Sequence, residues 1–431
     1  MAQDSILRQA RHHLRWLLVA PSLLLWWLIG QFDKTNVSLI VADPSFLAEL
    51  QLEGRNAELG GLMSAFFLGY GVAVFLWGFL VDRFGPRKCL MGGTLIWSLA
   101  LFWMSRGTDL QELLLARFLL GVGAGNMWPV SNALTNRWFP VGEHSRAQTF
   151  WLTGAPLGTA LGIPVVSFLM LAQGWRGMLL DLAFLSLLPI VSFTLIADHP
   201  RRQKKISARE VEHIETSHRQ SAATHRMHFR ELFHASSFWL LTFCFLVSVL
   251  TTYTMIQWLP RFLITQRGLS FRDMTLWITL GYLLATGVML LLGYLADRTM
   301  QRALTASGAC LALVLLLLPG AFWLPPIGSA LVLGMLISVP VIIAALNGAL
   351  LHTLVQPEAV ARGTGIYTGI GNLFAALGPF AFGVSINLLD GQYWGGFLFL
   401  AVLNALGAAS YYALHRKTPR AKQPSSIPVG L

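Results

Sequence analysis

The sequence predicts an all-α polytopic membrane protein, with twelve transmembrane helices in two six-helix bundles and both termini cytoplasmic. Three observations predict it. Of 431 residues, 55% are hydrophobic and 12% charged, a balance no ordinary soluble domain has. Apolar stretches of about 20 residues, each long enough to cross a ~30 Å hydrocarbon core as helix, recur from end to end. Finally, two different loop signals recur at matching places in the two halves of the chain.

The spans follow in order. The first, near 16–40, comes after a polar, basic segment, "MAQDSILRQARHHLR". It runs too long for a signal peptide and lacks a small-residue cleavage pattern, so it is expected to be retained. Spans two to six are expected near 58–81, 89–106, 110–136, 146–171 and 175–197. A polar interruption at 198–235 divides the chain; "ISAREVEHIE" within it predicts a short solvated helix, with Ser207 as N-cap and Glu210 three residues on. The remaining spans are expected near 236–263, 272–295, 303–324, 327–353, 362–388 and 394–414. The domains are then an N-terminal segment at 1–15, bundles at 16–197 and 236–414, the linker at 198–235 and a tail at 415–431.

Duplication is read from paired signals. "GFLVDRFGPRK" (78–88) follows span two and "GYLADRTMQR" (293–302) follows span eight; "WFPVGEHSRA" (138–147) follows span four and "LVQPEAVARG" (354–363) follows span ten. Paired repeats are how secondary transporters build two bundles that rock about a central site.

The net charge of +11 suggests nucleic acid until the charges are placed. Of 31 Lys and Arg, 23 fall on one side of the predicted membrane and six on the other, with Lys34 and Arg117 inside spans. This is the positive-inside pattern, so the basicity is topology and no nucleic-acid partner is expected. Cys89, Cys244 and Cys310 are few, odd in number and within or beside apolar spans, which indicates packing and no disulfide framework. Six histidines in the linker lack paired metal-ligand spacing and fit a solvated segment. No Ser/His/Asp arrangement, HExxH pair, CxxC or phosphate-cradling glycine loop is present in the sequence, so no enzyme, cofactor or ATP-driven pump is expected. Glycines such as "GVGAG" lie inside spans, where close helix packing explains them.

Charges inside spans cost roughly 2.5–3.5 kcal/mol on insertion scales, which makes them functional candidates. Asp33 and Lys34 in span one, Arg117 in span four and Asp181 in span six are such cases. At about 1.5 Å per residue Asp33 lies about 26 Å from the cytoplasmic side and Arg117 about 12 Å in from the opposite one, so both fall in the outer half. Asp33 and Lys34 point about 100° apart and need not pair. A bland reading places both in the outer interface, with Lys34 snorkelling. Arg117, Ala124 and Trp128 share one face of span four. Asp181, close after Trp175 and Arg176, is expected at an interface or in a structural role. Tyr70, Trp128, Asn132, Tyr253, Gln257, Asn347, Thr368 and Asn372 are polar or aromatic residues placed to line a cavity or to bond between helices.

Residues 78–88 carry a glycine, an apolar pair, Asp-Arg, an aromatic-Gly pair and two basic residues. They resemble the loop signature of the major facilitator superfamily, and "DRTMQR" is similar to its degraded second copy. A closer resemblance, over nearly the whole chain, is to that superfamily's anion:cation symporter branch, carriers of sugar acids and other organic anions. It rests on "FDKTNVS", "YGVAVFLWGFLVDRFGPR", "RFLLGVGAGNMWPVSNALTNRWFP", "GWRGMLLDL", "DHPRRQKKISAREVEHI", "FWLLTFCFLVSVLTTYTMIQWLPRFL" and "TGIYTGIGNLFAALGPFAFG".

The resemblance implies a secondary active transporter importing an organic anion, a sugar acid or other carboxylate, with protons by alternating access. It further implies a multi-pass protein of the cell (inner) membrane, partnered by the anion, protons and the bilayer and working as a monomer. Asp33 would relay the proton; Lys34, Tyr70, Arg117, Gln257 and Asn372 would bind the anion. Asp82, Arg83 and Arg87 with Asp297 and Arg298 would close the cytoplasmic side. Two departures stand out. The branch carries arginine where Lys34 stands, and a lysine offers a point charge instead of a planar fork. Many members carry a proton-coupling glutamate where Ala124 stands, which leaves Asp33 as the main titrating candidate. An exporter of drugs or metabolites on the same fold, or a transporter-like ligand sensor, are the alternatives.

Overall fold

Long apolar runs become helices because a backbone in hydrocarbon must satisfy its own hydrogen bonds. The computed structural model describes residues 14–140, 143–204, 206–221, 235–299, 301–354 and 357–417; among the side chains outside the described set are those of 293–299 and 351–365. Ten helical stretches among the described residues are long and apolar enough to cross a membrane. The longest, Arg146–Thr194, has 49 residues and holds two expected spans. Its break is Gly174, at φ 72° inside the helix Gly154–Leu185, a conformation in which a side chain would be strained. Helix Phe271–Thr299 completes the expected twelve.

Sequence chemistry sets several helix ends. Asp109 accepts the Glu112 backbone N–H at 2.9 Å, and Asp43 accepts that of Phe46 at 3.3 Å before Pro44. Gly85, at φ 87°, makes the sharp turn between Asn56–Phe84 and Pro86–Arg106. Ser207 caps the linker helix Ala208–Ser221 as expected, accepting the Glu210 backbone N–H at 3.2 Å. The Glu210 carboxylate goes elsewhere: it accepts from buried Arg15 at 2.7 Å and from the backbone N–H groups of Leu14 and Arg15. Arg15 also forks onto Glu143 at 2.9 Å, and hydrogen bonds from Arg15 hold the Glu143 carboxyl below the usual carboxylate range. The linker helix is thereby docked onto the start of span one.

Glycines bring spans two and four together. A Cβ on Gly69 would lie 2.1 Å from the Phe118 carbonyl oxygen, and one on Gly121 2.0 Å from that of Phe66, so neither position admits a side chain without a shift. The three cysteines are buried and free.

The two halves meet on the side away from the described ends, Leu14 and Lys417, here the far side. Asn56 Nδ2 donates to Asn387 Oδ1 at 3.0 Å. Ser64 donates to the Ala376 carbonyl, Arg261 to that of Val41 and Gln257 to that of Leu59. Backbones approach so closely that a Cβ on Gly60 would stand 2.3 Å from the Pro379 carbonyl oxygen. On that side too, Arg176 grips Glu49 at 2.8 Å and stacks on Trp175, and Gln173 donates to Asp181 at 2.7 Å.

Candidate functional site

Span one carries the chain's densest run of polar groups in an apolar helix, and every residue from Ile29 to Ala42 is buried. It packs on span five, where Gly154, Gly158 and Gly162 let the backbones approach, and on span seven of the second half. Polar side chains in that position face protein, not lipid.

Asp33 is 1% exposed, and neither carboxylate oxygen has a hydrogen-bond partner. The indole N–H of Trp97 lies near it without completing a well-formed hydrogen bond, and has no other partner. Arg117 is fully buried one helix away. Its Nε donates to the Leu62 carbonyl at 3.2 Å, its Nη1 to the Asp33 carbonyl at 3.2 Å and to Asn36 Oδ1 at 3.4 Å, and its Nη2 to Met63 Sδ at 3.7 Å. The guanidinium also lies 5.3 Å from the Phe66 ring centre. Span one, span two and span four are thus knotted around Arg117 through main-chain carbonyls.

Lys34 points another way, as expected of neighbours on a helix. Its ammonium sits 5.7 Å from the Trp27 ring centre and 5.4 Å from that of Tyr70, a cation–π arrangement. Among the described residues no carboxylate lies within ion-pair distance of Lys34 or Arg117. A carboxylate and two cations therefore share a dry region without an ion-pair contact between them. Such an arrangement costs stability and keeps charge available for a ligand.

The second half brings polar side chains that are in part already engaged. Gln257 is fully buried, its amide N–H held by the Leu59 carbonyl at 3.3 Å and its Oε1 unpartnered. Asn372 donates back to the Thr368 carbonyl at 2.8 Å within its own helix. Asn347 accepts the Tyr411 hydroxyl at 2.6 Å, an interhelical bond. Tyr253, one turn before Gln257, packs at a tilt against Phe67 of the first half with ring centres 4.1 Å apart. Ala124 is buried on the span-four face that carries Arg117, with no acid beside it in sequence.

Of the expected gating residues, Asp82 and Arg83 are exposed. Arg87 donates through its backbone to Asp198 at 2.9 Å and through its side chain to the Thr194 carbonyl at 3.0 Å, contacts within its own half. The side chains of Asp297 and Arg298 lie outside the described set. Among the described residues no three His, Cys, Asp or Glu side chains are grouped to hold a metal ion.

Asn36 and Trp97 are the site residues that the sequence reading passed over. Asn36 stands three residues after Asp33, on the same helix face, which was a usable signal. Trp97 had none beyond being a tryptophan in mid-span.

A family model described as Major Facilitator Superfamily matches residues 28–379. A Cupriavidus necator protein named "probable sulfoacetate transporter" is 31% identical over 64% of this chain and 64% of its own length. An Escherichia coli protein named "probable L-galactonate transporter" is 28% identical over 62% of this chain and 59% of its own. The matches thus span under two thirds of these relatives' lengths. In structure, the chain is similar to a bacterial homolog of the human lysosomal transporter Spinster, with a TM-score of 0.70, 15% identity and coverage of 92% and 96% of the two chains. At that identity the likeness speaks for the fold alone.

Proposed function

The chain belongs to the Major Facilitator Superfamily, and from that premise we propose that it is a secondary active transporter importing an organic anion, a sugar acid or other carboxylate, with protons. The observation that carries the reading is Lys34: a buried ammonium with no carboxylate within ion-pair distance, set between aromatic rings. A cation held in that state binds an anion strongly because little water screens the pair. Arg117 adds positive potential from behind while its donors hold spans one and two in register. Tyr70, Gln257 and Asn372 complete the lining, and Asp33 takes up and releases the proton.

Lys34→Ala is expected to weaken anion binding by about thirtyfold or more, the lower end for removing one member of a buried charge pair. Lys34→Arg keeps most of the affinity. Ligand-induced thermal stabilisation of the purified protein measures both, and undiminished affinity in Lys34→Ala would take the residue out of the site.

Alternating access requires the far-side seal to open, and that side is read as facing away from the cytoplasm because the basic residues collect on the other. The remaining charged residues of the loop signals, Asp82, Arg83 and Arg87 with Asp297 and Arg298, are assigned to the cytoplasmic closure. Gly60→Val should prevent the seal from forming, since its Cβ would meet the Pro379 backbone at 2.3 Å. Cysteines replacing Asn56 and Asn387, whose side chains touch at 3.0 Å, are expected to cross-link readily in the parent. In Gly60→Val the yield should fall by about an order of magnitude, as a steric penalty of 1–3 kcal/mol implies. An unchanged yield would show that the halves close without this contact.

A further inference from the structure

Three tryptophans from three spans form a wall beside Lys34: Trp27 of span one, Trp128 of span four and Trp151 of span five. Their ring centres lie 5.0 Å apart for Trp27 and Trp151, 5.7 Å for Trp27 and Trp128, and 5.6 Å for Trp128 and Trp151. Two of the indole N–H groups are already committed. Trp27 donates to Ser131 Oγ at 2.9 Å and Trp151 to Thr135 Oγ1 at 3.1 Å, acceptors one turn apart on span four. These bonds fix both rings and leave their carbon faces toward their neighbours.

Trp128 is the open member. Trp151 is fully buried and Trp27 nearly so, whereas Trp128 is only part-buried. It shares a span-four face with Arg117 and Ala124, both buried, and the helix carries that face through right-handed dihedrals at Gly125 and Asn126. The accessible part of Trp128 therefore opens to the interior of the fold and not to lipid. Across from it, Tyr70 stacks on Phe66 at 5.9 Å, and Phe67 meets Tyr253. One amide N–H each of Gln257 and Asn372 is held by a main-chain carbonyl, and Gln257 Oε1 is left as a buried acceptor.

We infer that Trp128, backed by Trp27 and Trp151, is the specificity-determining surface, and that the cargo is a compact carboxylate or sulfonate with an aromatic body. The anionic group sits on Lys34 and the ring lies on the indole wall. This rests on the anion-transport reading and narrows it away from sugar acids. A polyol body laid on the indole wall would set hydroxyls against carbon faces that offer no acceptor, and each such hydroxyl costs affinity. An aromatic body loses little on leaving water and gains stacking. Lys34 serves carboxylate and sulfonate alike, because a point charge makes no demand for a planar, two-pronged anion.

The test uses the full purified chain and four probes: benzoate, benzenesulfonate, D-galacturonate and L-galactonate. Benzoate and benzenesulfonate should raise the melting temperature and the two sugar acids should not. Trp128→Ala should weaken binding of the aryl probes by about tenfold while Trp128→Phe retains most of it. The unliganded melting temperature of each variant reports its folding separately. Stabilisation by the sugar acids alone, or by both classes with equal sensitivity to Trp128→Ala, overturns the aromatic-cargo inference and leaves anion transport standing. Silence from all four probes overturns this inference and counts against the anion reading itself.

Discussion

Asp33→Asn should abolish accumulation driven by a pH gradient while leaving anion exchange running. In proteoliposomes a gradient of one pH unit supplies about 1.36 kcal/mol per proton, about tenfold accumulation of cargo at one proton each. The variant should lose that tenfold and equilibrate its cargo, with counterflow exchange within about twofold of the parent. The reason is local. Asp33 is buried, and neither of its oxygens has a well-formed hydrogen bond, the Trp97 N–H nearby included. An ionised carboxylate in such a place needs a cation or a donor to approach, while a protonated one does not. Proton binding is therefore tied to how Asp33 sits against Arg117, and asparagine removes the switch while keeping the shape. Because Ala124 offers no second acid, no other intramembrane carboxylate on these spans is positioned to take over. Accumulation that persists in Asp33→Asn would refute the relay.

The spans were legible because bilayer thickness imposes a length and a composition that no other environment demands. Asp33, Lys34 and Arg117 were legible for the same reason in reverse, as charges in apolar helices. Their surroundings were not. Arg117 is held largely by carbonyl oxygens of Leu62 and Asp33, and every residue type carries a carbonyl, so no side-chain identity announces the contact. The tryptophan wall was legible only in part: Trp128 stands out in sequence as a cavity candidate, but among 15 tryptophans nothing marks Trp27 and Trp151 as its neighbours. For Gln257 and Asn372 the sequence shows the side chain but not its partner: one amide N–H of each goes to a main-chain oxygen, a choice set by which carbonyl the packing leaves open, and Gln257 Oε1 has none. Glu210 was read from its spacing as part of a helix cap, and the cap is there, but its carboxylate finds Arg15, 195 residues away in sequence.

Arg117→Met separates stability from function most sharply. Transport should fall by at least about a hundredfold, while the melting temperature stays level or rises slightly, because the desolvation cost of the guanidinium works against its contacts. Two effects compete. Arg117 makes four polar contacts, whose loss destabilises the fold. Two go to helix carbonyls that also serve as acceptors within their own helices, one reaches Asn36 at 3.4 Å and one a thioether, so few groups are orphaned when the donor is removed. Against them stands a fully buried guanidinium with no carboxylate in ion-pair range, whose desolvation cost of several kcal/mol is offset only in part by the charge of Asp33 nearby. The desolvation side is the larger, and methionine fills much of the same space with an unbranched chain. A protein retains such a charge against its own stability when the charge acts on something that comes and goes. Thermal melting and proteoliposome uptake on the same preparation decide it: a melting temperature lowered by many degrees would make Arg117 a structural strut, and unchanged uptake would remove it from the site.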